Sequence, residues 1–94
     1  MIAEHVDLTL RPGAGDELAE AFTEIRDLLL SAQGCLDASL SRSVDHDDTY
    51  LLRAVWDRLE DHTDVFATSD AGARVRELIQ PLCADVPRVV HYEV

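Results

Sequence analysis

The apolar residues of this chain switch between two-residue and helical spacing, and the order of the switches restricts the fold more than any single residue does. Over residues 2–10 they alternate. Ile2, Val6, Leu8 and Leu10 share one face of a strand, with His5, Asp7 and Thr9 on the other. Pro12-Gly13 ends it. From about Ala14 to Ser31 the spacing turns helical. Leu18, Phe22, Ile25 and Leu29 form a stripe widened by Ala21, Leu28 and Ala32, while Glu17, Glu20, Glu24 and Asp27 face water. These acids crowd the first half of the helix, where its dipole favours them, and Gly34 stands where a left-handed terminator is wanted.

Cys35 to Val44 alternates again, with Leu36, Ala38, Leu40 and Val44 on one face. The polar turn Asp45-His46-Asp47-Asp48 leads into a third strand, Thr49 to Asp57, so the two strands read as an antiparallel hairpin. Tyr50, Leu52, Ala54 and Trp56 point one way and Leu51, Arg53 and Val55 the other. Both faces being largely apolar, this strand is covered on both sides. Asp57 and Glu60 have the spacing of a capping box, starting a helical stretch from Arg58 to about Phe66. Ser69-Asp70 reads as a fresh N-cap, and the helix resumes to Gln80 with Val75, Leu78, Ile79 and Leu82 inward until Pro81 stops it. Arg88 to Val94 is a last strand, with Val89, His91 and Glu93 on one side and Val90, Tyr92 and Val94 on the other.

The order β-α-β-β-α-β specifies an α+β, ferredoxin-like fold: a four-stranded antiparallel sheet with its helices on one face. Two helices leave the other face bare although it carries apolar residues. A second copy of the sheet is the simplest cover, so the chain is expected to be a homodimer. Its 94 residues make one domain, 1–94. A domain of this size buries roughly 60–65% of its unfolded surface, a margin that a dimer interface would thicken.

Charge and composition remove several functions. A net charge of -11 argues against nucleic acid and against an anionic membrane as partner. No apolar run approaches the ~20 residues of a membrane span. Glu4, His5 and Asp7 interrupt the N-terminal stretch that a signal peptide would need, so a cytoplasmic location is expected. Cys35 and Cys83 lack metal or redox spacing and read as reduced thiols. His46 among three aspartates is a solvated turn without a convergent ligand set, so no metal is expected. No phosphate loop, nucleophile series or CxxC is present.

The chemistry concentrates in Thr49–Phe66. There the only tryptophan, Trp56, ends a strand and His62 follows within the next helical stretch. An apolar wall beside a titratable group makes a plausible pocket. His62 could serve as a general base for a phenol or hydroquinone, its ordinary pKa lying near ~6.5, or could be a half-buried structural histidine. Trp56 and Phe66 suit either core or pocket wall. His5 neighbours His91 if the first and last strands pair, as a structural pair or part of a dimer face.

Several stretches resemble one family when taken in order. They are RPGAGDELAEAF (11–22), QGCL (33–36), SRSVD (41–45), WDRLEDHTDVF (56–66) and VVHYEV (89–94). Together they resemble the antibiotic biosynthesis monooxygenase family of small dimeric α/β-barrel proteins. The resemblance implies a ferredoxin-like protomer, two sheets facing each other as a dimeric α/β barrel, and a pocket in each subunit. It further implies cofactor-independent oxygenation, with molecular oxygen, of a small phenolic, quinol or polyketide-like aromatic substrate. The family tryptophan corresponds to Trp56 and the arginine of the last helix to Arg76. Where polyketide-oxidising members carry an asparagine this chain has Leu52, and where they carry a tyrosine it has His62. Haem-degrading relatives place an iron-binding histidine in the later half of the second helical region, but residues 63–90 here contain none, which argues against haem. His62 is thus the candidate catalytic residue. Trp56, Phe66, Leu52, Arg76 and Tyr50 are the candidate substrate contacts, with no cofactor expected. Because Leu52 cannot hydrogen-bond a substrate carbonyl, a non-oxygenase protein binding a small hydrophobic molecule, or an isomerase or cyclase using the same pocket, is the alternative.

Overall fold

The computed structural model describes residues Met1 to Val94. Strand β1 (Ile2–Thr9) is followed by helix α1 (Gly15–Leu30), strands β2 (Cys35–Arg42) and β3 (Thr49–Trp56), a π-helical segment (Asp61–Phe66), helix α2 (Asp70–Ile79), a 3-10 turn (Gln80–Leu82) and strand β4 (Arg88–Glu93). The sheet is antiparallel in the order β2-β3-β1-β4, with the helices on one face, as the alternation of spacings requires. The core lies between them. Leu8, Leu18, Ile25 and Trp56 are wholly buried, and Val75, Ile79 and Leu82 close the α2 side. A clamp from Arg74 to both carboxylate oxygens of Glu24 (2.7 and 3.2 Å) ties α2 to α1 at the surface.

Five local expectations are corrected, each for a specific reason. A bulge between Cys35 and Asp37 shifts the parity of β2, so Cys35 faces Trp56 and packs on the core while Leu36 turns outward, 53% exposed. The strand then stops at Arg42 and Val44 lies exposed in the turn. Gly34 has the left-handed φ of +79°, but three residues past the C-cap Ser31, where it lets the chain pass the Asp61 carboxylate. The capping box of Asp57 and Glu60 does not form. Asp61 takes its place, accepting from the Arg58 amide and guanidinium (both 3.2 Å) and from Gln33 Nε2 (3.0 Å). These donors, Gln33 foremost, hold the buried Asp61 carboxyl below its ordinary range. Finally, β1 and β4 pair, but in a register that sets Glu4 opposite His91 and His5 opposite Val90. His5 stacks on Tyr92 (4.8 Å) on the open face of the sheet.

The turn after β2 has a structural role. Asp48, at φ +54°, accepts from the Gly13 amide (3.1 Å), and its carbonyl accepts from Leu10 (2.8 Å). The hairpin is thereby anchored to the end of β1. Cys35 and Cys83 are both free, and no helix is long and apolar enough to cross a membrane.

Candidate functional site

The site begins with a break in helical winding. After Arg58 the chain forms a π-helical segment rather than two α-turns, marked by the bond from the Ala67 amide to the His62 carbonyl (2.8 Å). Winding of this kind brings residues four apart onto one face. His62 and Phe66 therefore both meet Trp56, with ring centroids 5.3 and 5.5 Å away. The His62 ring lies at 24° to the indole, a stacked arrangement. Ser69 then caps α2 as its sequence suggests, accepting from the Gly72 amide (3.0 Å). Gly72 allows α2 to start directly against the Phe66 carbonyl, where a β-carbon would not fit.

Between the helices and the sheet lies a cavity of about 290 Å³. Val6, Leu52, Ala54, Phe66, Val75 and Ile79 supply much of its apolar wall, and exposed Arg76 and Val86 stand at its opening. Two titratable groups, Glu4 from β1 and His62, interrupt the apolar lining together. Glu4 is 7% exposed, on the core-facing side of β1 between Ile2 and Val6. Its Oε1 accepts from Trp56 Nε1 (2.9 Å), and its Oε2 lies 3.3 Å from Nε2 of His62. The other His62 nitrogen, Nδ1, is 2.9 Å from Nε2 of half-buried His91 on β4. Trp56, Glu4, His62 and His91 thus form one continuous polar chain. The groups run in line and do not converge on a point, so Glu4, His62 and His91 are no three-ligand metal set.

Burial sets the electrostatics. It pushes the Glu4 carboxyl above its ordinary 4.5, against the opposing pull of the Trp56 N–H and of charge on His91. It pushes His62 below its ordinary 6.5, toward the neutral ring. The two proton affinities are thereby drawn toward each other, which favours the passing of a proton between carboxyl and imidazole.

The structure distributes the expected site residues unevenly. His62, Phe66, Leu52 and Arg76 line the cavity together. Trp56 is fully buried behind His62 and Phe66 and reaches the cavity only through them. Tyr50 lies outside the lining, its hydroxyl packed against Gly15 at the start of α1. Arg76 donates to the Ala67 carbonyl (3.1 Å) and remains exposed. Sequence reasoning missed Glu4 and His91. Glu4 has the same strand parity as Ile2, Val6 and Leu8, so a carboxylate interrupting an apolar face was the available signal.

Comparison with known proteins agrees with this architecture. Residues 1–78 match the family profile described as antibiotic biosynthesis monooxygenase. The chain is 28% identical over 93 residues to the uncharacterized protein YczJ of Bacillus subtilis (strain 168), covering 99% of this chain and 98% of that one. A Bordetella bronchiseptica protein provisionally named an antibiotic biosynthesis monooxygenase superposes with a TM-score of 0.94 at 26% identity, covering 99% of this chain and 95% of that one. SnoaB, a cofactor-independent oxygenase from Streptomyces nogalater, superposes with a TM-score of 0.83 over 99% of this chain and 91% of its own. At 14% identity, SnoaB speaks to the fold alone.

Proposed function

We propose, from the premise that this chain belongs to the antibiotic biosynthesis monooxygenase family, that it is a cofactor-independent oxygenase of a small phenolic, quinol or polyketide-like aromatic substrate. The observation that carries this reading is the apolar cavity with its lone acid–base pair, Glu4 and His62. A flat, electron-rich ring would lie between α2 and the sheet against Phe66 and Leu52, its hydroxyl directed to the Glu4–His62 end. Exposed Arg76 at the opening would meet a polar substituent. Loss of the hydroxyl proton makes such a ring a better electron donor to molecular oxygen. That step needs a base and a dry pocket, and the cavity has the makings of both. The family's own description as a monooxygenase, matched over residues 1–78, supports the reaction class.

The protein would act as a cytoplasmic homodimer, the open sheet face with Tyr92 and Leu36 covered by a second copy. The alternative reading is a hydrophobic-ligand carrier or an isomerase or cyclase. It is favoured by Leu52, which puts a buried apolar side chain where a hydrogen-bonding asparagine would hold a substrate carbonyl.

The deciding experiment is oxygen uptake by flavin- and metal-free protein with menadiol and an anthrone, spontaneous oxidation subtracted. Catalysed uptake that falls by about 100-fold in the double variant Glu4→Gln/His62→Ala is expected, the usual scale for loss of acid–base catalysis. No uptake, with thermal stabilisation by the same ring systems, would establish the binding reading instead.

A further inference from the structure

Resting on the oxygenase reading, the hydrogen-bond geometry divides the acid–base work. A base must offer a free lone pair to the substrate, and His62 has none free, its Nε2 facing Glu4 (3.3 Å) and its Nδ1 facing His91 (2.9 Å). The Glu4 carboxylate has about four acceptor positions, of which Trp56 Nε1 takes one and His62 Nε2 approaches a second, and Glu4 itself lines the cavity. We propose that Glu4 is the catalytic base, accepting the substrate's hydroxyl proton, and that His62 and His91 are positioning residues that orient and hold its ionised form.

With Glu4 ionised, the contact at 3.3 Å favours the proton of neutral His62 on Nε2, toward the carboxylate. Nδ1 then carries the lone pair and accepts from Nε2–H of His91. The tautomer of each ring follows from the charge on Glu4. In the reaction the substrate O–H bond breaks and an O–H bond forms on Glu4. The electron pair stays on the substrate oxygen as a phenolate or enolate. No proton leaves the site, so the carboxyl group can return it to the reduced oxygen when product forms. The raised proton affinity of Glu4 favours its taking up that proton, and stacking on Trp56 keeps His62 from turning away.

Every neighbouring element bears on this titration. Glu4 faces Trp56 on β3, His62 on the π-helical segment, His91 on β4 and Arg76 across the cavity from α2. On β2 the Cys35 thiol, raised chiefly by burial, also feels the Glu4 charge. From α1 only Leu29 reaches the cavity.

The test compares the pH dependence of kcat/KM for menadiol oxidation in wild type, Glu4→Gln and His62→Gln, each shown to be folded by thermal unfolding. Glutamine at position 4 preserves the acceptor for Trp56 but cannot take a proton. Glutamine at position 62 preserves an N–H donor near Nε2 but cannot titrate. The expected result is a loss of about 100-fold or more in Glu4→Gln with its acidic limb abolished. In His62→Gln the limb survives, with a loss of less than about tenfold. Wild-type-like activity and an intact limb in Glu4→Gln would overturn the assignment, as would disappearance of the limb in His62→Gln. No oxygen uptake by wild type would overturn the oxygenase reading itself, and this assignment with it.

Discussion

At Glu4 the chain accepts a local cost for a chemical group. A carboxylate set between Ile2 and Val6 on the core-facing side of β1 loses its water, and only the Trp56 N–H and the nearby histidines offset that loss. The consequence for stability has a definite sign. Because the folded-state pKa is raised, Glu4 contributes stability that is complete below its ordinary 4.5 and is lost as pH rises through the raised value. His62 runs the other way. Its folded pKa is lowered, so its contribution is complete above 6.5 and is lost as pH falls through the lowered value. Glu4→Gln should therefore unfold at higher urea concentration than wild type at neutral pH, with the difference shrinking as pH is lowered. Wild type matching or exceeding the variant at neutral pH would contradict this account. A buried charged group whose removal stabilises the fold is the usual sign of a position kept for something other than stability.

The elements around the site depend on two small residues and one cap. Gly34 adopts φ +79° against the Asp61 carboxylate, which itself organises the start of the π-helical segment. Gly34→Ala must strain the backbone and displace Asp61 together. A loss on the order of 2–3 kcal/mol is expected in chemical denaturation, with His62 repositioned as a result. Ser69→Ala removes the acceptor of the Gly72 amide and the hydroxyl that donates to the Phe66 carbonyl (2.7 Å), so about 1 kcal/mol is expected with the cavity intact. Losses of equal size in these two variants would contradict the structural argument. The contrast arises because one position is sterically cornered at a left-handed φ while the other loses only side-chain hydrogen bonds at a helix end.

On the scale of the whole molecule, the helices cover one face of the sheet and leave the other to solvent in the protomer. Tyr92 stacks on His5 there at 50% exposure, with Leu36 at 53%. If a second copy covers this face, Tyr92→Asp should shift sedimentation from dimer to monomer at micromolar concentration. A wild-type monomer would remove the proposed homodimer. The net charge of -11 also means that two protomers repel at long range, so added salt should strengthen the dimer by screening.

Much of this was legible in the linear chain, because strand and helix periodicity are local consequences of backbone geometry. The order of elements, Ser69 as a cap, and His62 near Trp56 and Phe66 all follow from residues close in sequence. What needed the tertiary structure are the relations between distant residues. The bulge at Cys35 and Asp37 reversed the parity that alternation suggested for Leu36, because pairing with β3 sets the register. Packing carried Tyr50 away to Gly15 although it shares the strand face of Leu52. Glu4 and His91 lie 87 positions apart and face each other only because β1 and β4 pair in that one register. Sequence by itself determined which segments could be strands or helices, a matter of each residue's nearest neighbours. The polar chain from Trp56 through Glu4 and His62 to His91 was decided by long-range pairing, since polar contacts of about 3 Å depend on where three strands and a π-helical segment meet.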